Sequence, residues 1–569
     1  MAVSLHGLRG KIAGAAVLKG AVRRAGSLTP VAKAISTVAD AVEPGTVAAG
    51  QAEASGSYRG LLAGMLREAL PAPPVDHTDV IFDAVCGLIP GPRTEHVSYQ
   101  QLLDRAEAQP TAGNLLAAAA EARRPYNADL TRALQLYEAA FEKNPHDLRA
   151  YEGILSTTGR TDLDWQRVWE AASVLKPRRG LLGADSLFWV PINQLFQPQP
   201  PAEALRRAKP LLEQYRPRVT RLHQLLIETI TARLQFLGEF RAAQSLRAAM
   251  AENRVRELRG IPLESPLWLK HLLGAYAHLD QDARLLRTAA RPLVDTGTAR
   301  AGIAAEKLRA DAALYTGDAS HLIAHAARRR EQLTLPGEEL MHQLVHGKRI
   351  AVVGPAAASD ALGEAIEDYD IVVRTQYKPQ TLRGRAAKVG ERTDIAYFQT
   401  KDLTSDWDQL AETIPASGVK LAVARPLMHT VLSAEERQAP DWLRFARFEY
   451  GLYFRGAPLG IQRILYDLLQ FAPAEVGLFH ADFYAGTGTF TAGYRHQENT
   501  FGPHSALNDL VMMHDLGYEF RFVQRLLRAG TITAHGTAAE VLGLSEDEYL
   551  GRLESGPLAA LSPSRALRQ

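Results

Sequence analysis

The stretch KRIAVVGPAAASDALGEAIEDYDIVVR, from Lys348 to Arg374, restricts the fold more than any other part of the chain. Arg349 to Val353 is a short, mostly β-branched run that stops at Gly354 and passes into small residues, as a buried strand entering a loop does. Ser359 and Asp360 then place helix-starting side chains ahead of Ala361 to Ile366, because their oxygens accept from the first free backbone N–H groups. Ile371 to Val373 is a second β-branched run. Strand, loop, helix and strand within this length make one βα unit. The loop leaves N–H groups beside the positive end of a helix, where proteins receive phosphate. A nucleotide-type ligand is therefore expected, although the G-x-G-x-x-G spacing is absent, since Pro355 and three alanines follow Gly354; this demotes a hydride-transfer enzyme.

Beyond this unit, apolar runs and helical periods alternate. Leu421 to Ala424 and Val476 to Phe479 read as strands, and Gly460 to Phe471, Ser505 to Met513 and Glu519 to Ala529 as helices. Such alternation predicts an α/β domain, a Rossmann-like parallel sheet of the glycosyltransferase type covered by helices, over about residues 345–555. The tail 556–569 is expected to be disordered. Residues 96–335 carry successive helical periods: Ala133 to Lys143, Leu148 to Leu155, Ala202 to Tyr215, Arg221 to Leu237, Ala242 to Leu258 and Ala301 to Tyr315. Within ALQLYEAAFEKNPHDLRAYEGIL, Ala133, Leu136, Tyr137 and Ala140 share one helical face. Pro145 breaks the chain, and Ala150, Tyr151 and Leu155 resume an apolar face. This resembles a tetratricopeptide-like helical hairpin, whose faces are covered by stacking; an irregular all-α region is the alternative. PGEEL, from Pro336 to Leu340, is expected to close the helical half. Residues 1–95 are rich in small residues and read as partly disordered or helical.

Charge and cysteine usage narrow the function. A formal charge of +2 from 65 basic and 63 acidic residues gives no electrostatic reason to expect nucleic acid as a partner. Cys86 stands alone, so neither an internal disulfide framework nor a thiolate zinc site is available. Lys19, Arg23 and Arg24 interrupt the apolar N-terminal patch, and no run of about 20 apolar residues occurs to span a bilayer. The expectation is a cytoplasmic protein, peripheral at most at the inner face of the membrane.

Four elements now line up: VVG at Val352 to Gly354 with IEDYDIVVR at Ile366 to Arg374; VGERT at Val389 to Thr393; PLG at Pro458 to Gly460, leading through a helix to the strand ending at Phe479; and His514 followed five residues later by Glu519, with Leu526, Gly530 and Ile532 downstream. In this order they resemble the motifs of the sialyltransferase family of CMP-sugar glycosyltransferases, over about residues 348–550. Pro355 and Gln376 stand where that family usually carries asparagines that hold the nucleotide and the sugar. The resemblance implies an inverting transfer of an acidic sugar, sialic acid or Kdo-like, from a CMP-sugar to a glycan or glycolipid, with no metal cofactor.

Such a transfer needs a base beside the attacking hydroxyl and donors around the departing phosphate. His514 suits the first task, being partly neutral near pH 7; His504 is a second candidate, and Glu519 is either a helper or a helix-start residue. Gly354, Ser359, Gln376, Thr393, Gly460 and Tyr494, or Arg495, are candidates to hold the donor. Asp370 and Arg374 serve as ligand contacts or as a structural pair. GTGTFTAG, Gly486 to Gly493, reads as a turn rather than a phosphate loop. The alternatives are an interaction protein that uses its helical half to bind a partner beside a degenerate nucleotide fold, and an enzyme that uses another nucleotide sugar.

Overall fold

The computed structural model describes residues 99–560, apart from 125–126, 162, 175, 177–185, 215–220, 259–265, 293–298, 333, 358, 426–427, 429–431, 433–438, 455, 457, 487–489, 492–493, 495–509 and 513. The expectations for residues 1–95, His504, Arg495 and residues 561–569, and most of the helix expected over Ser505 to Met513, lie outside the described residues; the first part of the tail expected to be disordered is instead a short helix, Pro557–Ala560.

The helical half begins with helices including α1 (Leu130–Lys143) and α2 (Leu148–Thr158). Asp129 caps α1 by accepting from Arg132 N, and Asp147 caps α2 by accepting from Arg149 N, each satisfying a donor that a helix start leaves open. The predicted faces are the ones buried: Leu136, Tyr137 and Ala140 share one apolar cluster with Ala150, while Tyr151 and Leu155 join the main core. Gly153 is required here, because a Cβ on it would enter the Tyr137 ring. Further along run α3 (Arg221–Phe236), α4 (Phe240–Leu258), α5 (Pro266–His278) and α6 (Ala299–Tyr315). PGEEL does not end the helices. Gly337 takes a left-handed conformation, φ 76°, and starts α7 (Glu338–Val345), which leads directly into the sheet.

The sheet has seven parallel strands: β1 (Arg349–Val353), β2 (Ile371–Arg374), β3 (Ile395–Phe398), β4 (Leu421–Ala424), β5 (Leu443–Phe445), β6 (Glu475–Phe479) and β7 (Thr533–Ala534). Their order is β5-β4-β3-β2-β1-β6-β7. The chain therefore steps outward from β1 to β5, returns, and lays β6 on the other side of β1. The register places Val353 opposite Phe479 and Arg374, so β1, β2 and β6 end together. Reversal of strand order between β1 and β6 opens a crevice at their carboxyl ends, where ligands of such sheets bind.

Helices α8 (Gly363–Glu367), α9 (Gly460–Leu469) and α10 (Leu516–Arg528) complete the parts that matter for the crevice. YEFRFV, whose alternation also permits a strand, lies within α10; its apolar residues Phe520, Phe522 and Val523 are all buried. One continuous core joins the two halves, running from Trp165 and Leu226 through Tyr315 to Ile350, Val373 and Phe520. No helix among the described residues is long and apolar enough to cross a membrane.

Gly354 sits where β1 meets β6. Its N–H donates to Phe479 O at 2.8 Å, and a Cβ would collide with the His480 carbonyl. Gly354→Ala is expected to destabilise the protein by about 1–3 kcal/mol, since neither backbone can yield without strain; a urea titration reads this as a lowered midpoint at unchanged slope.

Candidate active site

A cleft runs along the carboxyl edge of the sheet, with about 1160 Å³ of space when the open solvent at its mouth is counted. Pro355 and Ala356 follow β1, Thr375 follows β2, Gln399 follows β3, Arg425 follows β4, Phe448 and Glu449 follow β5, and Ala481 to Tyr484 follow β6. The start of α9, Leu459 to Arg463, closes one side, with Glu519 from α10 and the rings of Phe490 and Tyr494. Thr491 fixes the last two rings, donating from N to Pro355 O at 2.8 Å and from Oγ1 to Ala356 O at 2.7 Å.

Two guanidiniums share one carboxylate in this wall. Arg425 donates to both oxygens of Glu449, at 2.8 and 3.0 Å, and Arg463 Nε lies 3.7 Å from Glu449 Oε1. Burial would raise the Glu449 pKa, but Arg425 and Arg463 outweigh it and hold the group down at about 2. Burial also pulls Arg463 down to about 10, still protonated near neutrality. Among the described residues of this trio, two positive charges face one negative.

Two further carboxyls behave in the opposite way. Glu519 is buried under α9, where Oε1 accepts from Tyr453 Oη at 2.8 Å and Leu459 N at 2.9 Å; the Gln462 amide lies against the same group. Burial pushes it up to about 8, so it carries its proton at neutral pH. Asp482 is 7 % exposed and is raised by burial to about 6. It sits in the turn HADFY, where His480, Phe483 and Tyr484 have φ of 47°, 49° and 66°. Each non-glycine residue in that region costs about 1 kcal/mol or more, and strain of this kind collects at functional sites. The turn is held by Tyr484 N donating to Asp482 Oδ1 at 3.0 Å and by His480, whose Nε2 lies 2.9 Å from Lys388 O.

Gly460, Tyr494 and Glu519 are brought together on the cavity wall, next to the Pro355–Ala356 loop that follows Gly354. Other expected residues lie elsewhere. Arg374 is buried, with Nε donating to Thr393 Oγ1 at 3.0 Å and Nη2 to Val389 O at 2.6 Å, so the pair binds the 389–393 segment to β2. Gln376 Nε2 donates to Asp402. Asp370 is at the amino edge of the sheet, accepting from Arg349 N at 2.8 Å, and Ser359 is exposed, donating to Asp360 at 3.1 Å. His514 is half-buried and is not among the residues lining the cavity; its carbonyl accepts from Gln235 Nε2 of α3 at 3.2 Å.

No family model and no curated protein matches the chain.

Asp482, Arg425 and Glu449 were not singled out by sequence reasoning. Two of them had a usable signal: Asp482 and Arg425 are charged residues immediately beyond the strands ending at Phe479 and Ala424, which is where ligands of parallel sheets gather. Glu449 follows a strand of only three residues, too short to show a period.

Proposed function

We propose that the chain is a glycosyltransferase that moves an acidic sugar from a CMP-activated donor to a hydroxyl of a glycan or glycolipid, with inversion. One observation carries the reading: a pair of arginines gathered on a single carboxylate, inside the cavity along the carboxyl edge of the sheet, beyond β4 and β5. Within that trio two guanidiniums stand against one carboxylate, and guanidiniums are well matched to phosphate and carboxylate oxygens. The sialyltransferase-like motifs supply the donor class, and their PLG and Glu519 elements border the same cavity.

In this reading Arg425 and Arg463 face the phosphate, whose negative charge grows as the bond to the anomeric carbon breaks. The acceptor oxygen forms its bond to that carbon from the opposite side, and CMP leaves. The acceptor proton passes to a base. His514 held that role by sequence, but Asp482 is a carboxyl on the cavity wall at the end of β6, is ionised above about pH 6, and is assigned the role here. Protonated Glu519 keeps a negative charge away from the donor. The helical hairpin α1–α2 is read as a tetratricopeptide-like unit.

Calorimetry of the full chain with CMP, UDP and GDP tests the donor class. Heat with CMP, and its loss in Arg463→Met, is the expected result. Stronger binding of UDP or GDP would move the donor class to another nucleotide sugar, and silence toward all three at millimolar concentration would favour a non-catalytic interaction protein.

A further inference from the structure

Two charged residues of the helical half reach the wall of the cavity. Lys307 and Asp311 stand one turn apart on α6 and are 7 % and 0 % exposed. Lys307 Nζ donates to Asp311 Oδ2 at 2.7 Å and also to the main-chain carbonyl of Glu449. Asp311 Oδ2 accepts from Gly451 N at 2.9 Å, and its Oδ1 accepts from the Tyr466 hydroxyl at 2.7 Å. Gly451 approaches so closely that a Cβ would lie 2.9 Å from Asp311 Oδ2 and 3.0 Å from Lys307 Nζ. Glu449 and Tyr466 both line the cavity.

A buried ion pair adds little stability over apolar residues of the same volume, because both charges lose their hydration. What this pair supplies, and an apolar pair would not, is directed hydrogen bonds to two backbone points and one hydroxyl. Those bonds fix the segment 449–451 that carries the carboxylate between Arg425 and Arg463. We infer that Lys307 and Asp311 are positioning residues: they hold Glu449 where it can gather the two guanidiniums, so the anion-binding end of the site is completed by the helical half. The inference rests on the cavity binding an anion, not on which nucleotide supplies it.

The test titrates full-length protein with CMP, cytidine and inorganic phosphate. Lys307→Met is expected to weaken CMP and phosphate about tenfold, the effect of loosening one hydrogen bond to a charged group, and to leave cytidine within about two-fold. Lys307→Arg keeps the charge and the donors and is expected to restore most of the phosphate affinity. Should Lys307→Met fail to fold, Asp311→Asn gives the same comparison, since its amide oxygen still accepts from Gly451 or Tyr466 while the charge holding Lys307 is gone. Equal weakening of CMP and cytidine, or no weakening of phosphate, overturns the inference. Wild-type protein that binds phosphate and not CMP removes the CMP reading alone; wild-type protein that binds neither overturns both.

Discussion

Asp482→Asn is expected to lower kcat for sugar transfer by about 100-fold or more, the usual loss when a placed base is removed, while CMP affinity stays within a few-fold. The amide keeps the shape of the side chain and an oxygen for the Tyr484 N–H but gives up an acceptor facing the Gly486 backbone, so an unchanged melting temperature of the variant is the sign that the loss is chemical. His514→Ala is the matched control: a residue outside the cavity lining is expected to leave kcat within a few-fold. The reverse pattern, with His514→Ala inactive and Asp482→Asn active, would return the base to the histidine. The pH profile carries the same information. Activity should climb through about pH 6 as Asp482 loses its proton, and decline above about pH 8 as Glu519 loses its own and adds a negative charge beside an anionic donor. Glu519→Gln is expected to remove the alkaline decline and keep the acid limb.

Asp467→Ala is expected to destabilise the protein by about 3–5 kcal/mol, because it strands a buried guanidinium. Arg444 and Asp467 are 0 % and 1 % exposed, and Arg444 Nη1 and Nη2 donate to the two Asp467 oxygens at 2.6 and 3.0 Å. Tyr397, which lines the cavity, donates its hydroxyl to Asp467 Oδ2 at 2.6 Å. The pair thus links β5 to α9 and steadies one ring of the site. Urea denaturation measures the loss. The double variant Arg444→Met, Asp467→Leu should recover much of it, since neither charge is then left without its partner. A double variant as unstable as Asp467→Ala would show that packing, not the stranded charge, sets the cost.

Strands β1, β2, β4 and β6 and most of the long helices were legible from the chain because their cause is local. A β-branched run ending at glycine, or an apolar face repeating each helical turn, has its meaning within a dozen residues. Strands β3 and β5 were not: β5 has only three residues, and β3, although as long as β2 and β4, is fixed as a strand by its pairing with both of those neighbours. The same division runs through the site. Gly460, Tyr494 and Glu519 belong to stretches with recognisable order, and they meet at the cavity. The residue types of Arg374 and Thr393 were visible, but only the folded chain decides that they spend their polar atoms on each other and on the backbone. The sequence by itself determined a parallel α/β half behind a helical one, since periodicity and loop chemistry act locally. Only the tertiary structure decided which charges share the cavity, because Arg425, Glu449, Arg463, Asp482 and the Lys307–Asp311 pair come from separate elements, and burial and Coulomb interaction depend on distance in space rather than along the chain.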